Sequence, residues 1–230
     1  MHHRIARILA LCLATCLLAQ APRAAAEPVD LNLVLAVDAS GSVDQRRFEL
    51  QKQGYVAAFR NPRVSRAIAS GMLGAIAVTM YQWTGPRLQR EAVGWTIIRD
   101  QESANAFADA IAAAPRMLFG GGTSISGAID HGVGVLASAP HEATRRVIDI
   151  SGDGANTSGR SSIAARDEAV ARGIVINGLP ILSLEPFLDS HYQEQVIGGP
   201  GSFMVSARDF ENFGDAVLRK LISEIAELAP

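Results

Sequence analysis

Cysteine is almost missing from this 230-residue chain: its two cysteines, Cys12 and Cys16, both fall within the first 26 residues. Everything after residue 26 is therefore without a disulfide, a thiol nucleophile or a thiolate metal site. Charge of one sign is also lacking, with 21 Lys and Arg against 23 Asp and Glu, and aromatics make up 6% of the chain. No basic cluster interleaved with aromatics occurs, which argues against a nucleic-acid partner. Long apolar runs are scarce too. Ile8 to Leu18 is too short to span a bilayer, and no second run reaches the required length.

What is present begins with a leader. A basic start (His2, His3, Arg4 and Arg7), the apolar Ile8 to Leu18, and the small residues Ala24-Ala25-Ala26 follow the layout of a secretory signal peptide. Cleavage before Glu27 would leave one soluble, exported domain over 27–230, periplasmic or secreted, with no stable membrane insertion. Cys16 in Leu13-Ala14-Thr15-Cys16 loosely resembles a lipid-attachment site, but Thr15 fits poorly and Leu17-Leu18 continue the apolar run. Arg4, Arg7 and Arg23 leave with the leader, so 18 of the 21 basic residues remain against 23 acidic ones, a net charge of −5. That is ordinary for a soluble surface.

Beyond the leader, strand and helix patterns alternate. Leu31 to Val37 reads as a buried strand, because a strand covered on both faces is apolar throughout. Phe48, Tyr55 and Phe59 share one face of a helix over Asp44 to Arg60, ended by Asn61-Pro62. Gly54 inside it costs about 1 kcal/mol against alanine, a cost that close packing would offset. Gly74 to Trp83 and Ala92 to Ile98 read as a strand pair around Thr84-Gly85-Pro86, an antiparallel edge hairpin. A helix capped by Ser103 runs to Ala114. Another, carrying Ile125, Ile129, Val133 and Leu136, follows the loop Phe119-Gly120-Gly121-Gly122-Thr123-Ser124. Val147 to Ser151 is a strand, Ser162 to Arg172 a helix closing on Gly173, Ile174 to Leu179 a strand and Leu188 to Ile197 a short helix. Phe203 to Val205 reads as a last strand, and Phe210, Phe213, Val217, Leu221, Ile225 and Leu228 as the stripe of a final helix. The expectation is a single doubly wound α/β domain: a mostly parallel sheet, one antiparallel edge strand, helices on both faces.

Chemistry concentrates where strands end. Asp38, Ser40 and Ser42 follow the first strand, Thr123 ends a glycine-rich loop, and Asp153 stands in Ser151-Gly152-Asp153-Gly154. Asp38-x-Ser40-x-Ser42 alone fits either a helix-capping turn or a site for a hard cation, Mg²⁺ or Mn²⁺. Carboxyl ends of neighbouring strands converge in such sheets, so the three loops can share one site.

At these residues the chain resembles a von Willebrand factor type A (VWA) domain with a metal-ion-dependent adhesion site, over nearly all of 27–230. It is most similar to secreted bacterial members without a characterised function. The resemblance implies that Asp38, Ser40, Ser42, Thr123 and Asp153 bind the cation, some directly and some through water. A carboxylate from a protein partner would complete the shell. It also implies that the first strand is central, with Val147 to Ser151 beside it. One departure stands out. Many members carry threonine before the second-loop aspartate; here Gly152 holds that place, so hydrogen bonding behind Asp153 should differ.

Rival readings fit less well. The Gly120-Gly121-Gly122 loop lacks the lysine of a phosphate-binding loop, and no Gly-x-Ser-x-Gly elbow is present. Asp38-Ala39-Ser40 lacks the second aspartate of an aspartate-nucleophile phosphotransferase. Gly132-x-Gly134-x-x-Ala137 falls inside a helix, so it fails as a dinucleotide motif. His131, His141 and His191 have no ligand spacing. Tyr81, Trp83 and Trp95 fit packing. A metal-dependent hydrolase could use the same cation as a Lewis acid, but no His or Glu in the three loops offers a general base. A purely structural cation site is the other alternative. Asp149, a charge inside a strand, must be paired; the expectation is a structural partner such as Arg145, with support of the metal loops as the alternative.

Overall fold

The computed structural model describes residues 27–226; the leader expected at 1–26 and Leu228 lie outside them. Five strands, β1 (Val29–Asp38), β2 (Ile76–Trp83), β3 (Gln89–Ile98), β4 (Ala143–Gly152) and β5 (Val175–Pro180), form one sheet in the order β3-β2-β1-β4-β5. β1 is buried at every position, as a strand with neighbours on both edges and helices on both faces must be. It pairs in parallel with β2 and with β4, placing Asp38 opposite Trp83 and Val37 opposite Ser151. β5 runs parallel to β4, and β3 is the antiparallel edge. The polar ends of β1 and β4 thus lie side by side.

The helices are α1 (Gln45–Arg60), α2 (Pro62–Ala69), α3 (Gln101–Ala113), α4 (Ile125–Ala137), α5 (Ser162–Ala171), α6 (Leu188–Gln195) and α7 (Phe213–Ala226). Alternate residues of β1 divide the core. Leu31, Leu33, Leu35 and Val37 face one apolar layer with α1, α2, α3 and α7; Val34 and Ala36 face the other, with α4, α5 and α6. Close packing explains Gly54: a Cβ there would stand 2.7 Å from Phe213 Cδ1 and 3.1 Å from Gly214 Cα, so α1 and α7 approach as two bare backbones. Gly173, at φ +71°, ends α5 in the left-handed conformation expected after a helix.

Four details differ from the pattern-based reading. α1 ends at Arg60 as expected, with Asn61 extended at φ −74° and ψ 125°, but a further helix follows at once. Pro62 opens α2, where a first-turn proline loses no hydrogen bond, and Asn61 caps it by accepting from Arg63 N. Asp100, not Ser103, is the N-cap of α3; Ser103 closes the capping box three residues in, its Oγ accepting from Asp100 N. Phe203 to Val205 forms no strand of the sheet. It touches β5 through a lone bridge between Gly178 and Met204, because the Asn177 side chain takes the Phe203 N–H instead.

The fourth is Asp149, whose partner is Lys220 of α7, 2.7 Å away, with both side chains fully buried. Lys220 also reaches Glu224 at 3.1 Å, and Asn177 donates to that carboxylate. Arg145 instead donates to the Glu224 carbonyl. Burial alone would strip Lys220 of its proton, but Asp149 and Glu224 outweigh it and raise its pKa. With two acids sharing one ammonium, burial pushes Asp149 up to about 7. Among the described residues no helix is long and apolar enough to cross a membrane.

Candidate metal centre

β1 and β4 deliver the two aspartates to one place. Asp38, the last residue of β1, is fully buried; Asp153 follows β4 and is 1% exposed. The turn after β1 folds back on its own carboxylate, Ser40 N donating to Asp38 Oδ1 at 2.7 Å. This brings Ser40 Oγ within 3.2 Å of Ser42 Oγ, and Ser42 Oγ donates to Asp153 Oδ1 at 2.5 Å. Asp153 N lies 3.4 Å from Asp38 Oδ2 and donates to it. Four of the five predicted residues therefore form one hydrogen-bonded cluster.

Thr123 lies beside the loop that carries Asp153. The bends at Gly120 and Gly121, with φ of +106° and +101°, are open only to glycine and bring the Thr123 loop against the Asp38 turn: a Cβ on Gly41 would sit 3.5 Å from Gly121 O. Thr123 O accepts from Thr157 N and Ser158 N, tying it to the loop after Asp153. Its hydroxyl lies 3.7 Å from where a Cβ on Gly154 would stand. Ser124 then caps α4.

Several supporting residues carry no motif. Gln51 lies on the buried face of α1 between Phe48 and Tyr55, and its Nε2 donates to Asp38 O at 3.0 Å. A polar residue on a core face was its one visible signal. Arg47, also on α1, donates to Ser42 O and stands 3.8 Å from Asp153 Oδ2. Arg116 donates to Val43 O and Ala39 O, fixing the turn after β1. Glu185, from the loop after β5, accepts from Ala155 N beside Asp153. Nothing local in sequence marks Arg116 or Glu185, because the sheet alone brings them in. Two histidines have packing or hydrogen-bond partners: His131 stacks edge-on against Tyr81, and His191 Nε2 accepts from Asn156 N. Tyr81 donates to Ala128 O, and Trp83 is fully buried in the core.

The donor set suits a hard cation. Among the described residues no three His, Cys, Asp or Glu side chains are placed to hold a metal, so a cation here must use hydroxyls beside two carboxylates, as Mg²⁺ and Mn²⁺ accept. Burial and the neighbouring Asp153 push Asp38 up to about 7. Burial also raises Asp153, against the opposing pull of Ser42 and Arg47. Asp153 Oδ2 receives no hydrogen bond among the described residues. Two buried carboxylates short of positive charge are what a bound cation would relieve. Gly152 is bare because Asp38, Trp83 and Tyr192 crowd its Cα, so no threonine fits there.

Comparison with solved structures places the fold. The chain is similar to proximal thread matrix protein 1 of the mussel byssus, with a TM-score of 0.60 at 15% identity over 89% of this chain and 49% of that one. A form of the mussel protein with a zinc-occupied MIDAS motif gives 0.55 at 16% identity, over 88% and 46%. The PilB minor pilin of Streptococcus sanguinis gives 0.61 at 14%, over 88% and 63%. A von Willebrand factor type A protein from Catenulispora acidiphila gives 0.53 at 13%, over 88% and 43%. The chain thus spans about half the length of the mussel protein. At such identities the likeness is one of fold, and that fold is VWA-like. Curated protein sequences give no match. The family model described as "Protein of unknown function (DUF1194)" matches residues 28–229; the chain belongs to that family and builds it on a VWA-like fold.

Proposed function

We propose that the protein is an exported binding module that uses a divalent cation, Mg²⁺ or Mn²⁺, to capture an acidic group on a protein partner. The observation that carries this is the joining of Asp38, Ser40, Ser42 and Asp153 into one cluster at adjacent strand ends. Thr123 stands beside it. These five residues would hold the ion. With three neutral hydroxyls among them, the cation would supply an electrophilic centre for an outside carboxylate. Arg47 and Arg116, anchored to the same turn, add positive potential that favours an anionic partner.

The relatives by fold lend support. They include a byssus matrix protein, one form of which carries zinc at its MIDAS motif, and a pilin. A hydrolase would need a positioned general base, and none of the three loops carries a His or Glu. The signal-peptide layout read in the sequence of residues 1–26 supports export.

The test is capture from the exported fraction of the producing cell on immobilised protein, in Mg²⁺ and then in EDTA. The reading expects a partner that EDTA elutes and that chains with Asp153→Ala fail to retain. Retention indifferent to EDTA counts against a metal-bridged contact.

A further inference from the structure

Behind the candidate centre, three side chains from separate elements converge on the bare Cα of Gly152. A Cβ built there would stand 2.9 Å from Asp38 Oδ2, 3.1 Å from Trp83 Cζ2 and 3.1 Å from the Tyr192 hydroxyl. All three residues are fully buried. Neither the Tyr192 hydroxyl nor Trp83 Nε1 has a hydrogen-bond partner among the described residues. Asp38 Oδ2 accepts a long bond, 3.4 Å, from Asp153 N. A hydroxyl left unpaired in a core is costly, so a phenylalanine would suit packing better than a tyrosine here.

The seat for that ring is built. Tyr192 projects from α6, and a Cβ on Gly178 of β5 would fall 2.6 Å from its Cδ1. Two bare glycines on adjacent strands therefore admit the ring: Gly178 lies under its body and Gly152 under its hydroxyl. The result is an unspent donor beside an under-supplied oxygen of Asp38.

We infer that Tyr192 is a positioning residue of the cation centre: its hydroxyl, without a partner among the described residues and facing Asp38 Oδ2 across the bare Gly152, would donate to that oxygen once the ion is bound, supplying from α6 the hydroxyl that position 152 lacks. This rests on the reading of the three loops as a cation site. Such a bond would fix the rotation of the carboxylate, so that Asp38 holds one oxygen toward the ion. Such outer partners are worth about 10–100-fold in metal affinity.

The test is calorimetric titration of Mg²⁺ and of Mn²⁺, as the free ions, into the parent chain, Tyr192→Phe and Tyr55→Phe. Tyr55 is the control: it is equally buried, but its hydroxyl is committed to Ser151 Oγ at 3.3 Å. Tyr192→Phe should weaken cation binding about 10-fold or more, with a thermal midpoint in EDTA equal to or above the parent's. Tyr55→Phe should lower the midpoint and leave the affinity as it was. Cation addition should also shift the tyrosine near-ultraviolet absorbance of the parent, and that shift should vanish in Tyr192→Phe. Unchanged affinity in Tyr192→Phe while the parent binds overturns the role given to Tyr192 and leaves the metal site standing. A parent that binds neither ion overturns both. Should Tyr192→Phe fail to fold, Gly152→Ala presses a methyl between the same atoms, and unweakened binding there contradicts the proposal equally.

Discussion

Ser42 Oγ donates to Asp153 Oδ1 across 2.5 Å, joining the turn after β1 to the loop after β4 over 111 residues of sequence. The bond uses the hydroxyl as a donor, whereas a cation needs it as an acceptor. A hydroxyl keeps its lone pairs while it donates, so the one side chain can steady Asp153 and face the ion at the same time. Ser42→Ala should lose both. Asp153 Oδ1 is then left buried without its donor, which should cost about 1–3 kcal/mol in EDTA. Affinity for Mg²⁺ should fall in parallel. Urea unfolding in EDTA and calorimetry with Mg²⁺ check the two halves.

Asp38→Asn should move stability the other way. Asp38 is a fully buried acid whose burial and nearness to Asp153 disfavour its charge. Asparagine keeps the acceptor for Ser40 N and removes the charge. At pH 8 in EDTA the variant should melt above the parent, and Mg²⁺ should raise the parent's midpoint while leaving the variant's unmoved. Opposite signs for Ser42→Ala and Asp38→Asn in EDTA would set a site built for binding apart from one built for stability.

Lys220 gives a stability prediction remote from the loops. Its ammonium, fully buried, serves both Asp149 and Glu224. Lys220→Met strands two buried acids and should cost about 3–5 kcal/mol. Adding Asp149→Leu and Glu224→Gln to it should recover most of that loss, because an apolar replacement of a buried ion group is often neutral or better. Denaturant midpoints of the single and triple variants decide this.

The same group sets a pH dependence. Asp149 is raised by burial to about 7 from an ordinary 3.8, so the folded chain holds this proton more tightly than the unfolded one. The stabilisation is complete below pH 3.8 and is lost as pH rises through about 7. Lys220, with its pKa raised, stays charged throughout that window. In EDTA, Asp149→Asn should therefore reduce the fall of the thermal midpoint between pH 4 and pH 7. An unchanged slope would contradict the assignment.

The alternation of strands and helices, and the three polar loops at strand ends, were legible because their signals are local; the central place of β1 followed from the resemblance to VWA domains. β1 is apolar until Asp38, and the Asp-x-Ser-x-Ser turn, Gly-Gly-Thr loop and Asp-Gly turn each announce a strand end. Gly54 read correctly as a packing glycine for the same reason. What escaped depended on tertiary partners. Asp149 takes its ammonium from Lys220, 71 positions along and on another element, while Arg145 in its own strand was the visible candidate. Phe203 to Val205 looks like a strand, but the Asn177 side chain takes the Phe203 amide. Gly152 looked like a missing threonine until Tyr192 and Trp83 were seen to crowd its Cα.

The central claim is that the three loops make one cation site, and calorimetric titration of Mg²⁺ and Mn²⁺ into the metal-free chain tests it most directly. The account predicts one saturable site in the parent. It predicts none in Asp38→Ala or Asp153→Ala, whose circular dichroism spectra stay close to the parent's. Binding retained in both variants, or no binding by the parent, would contradict it.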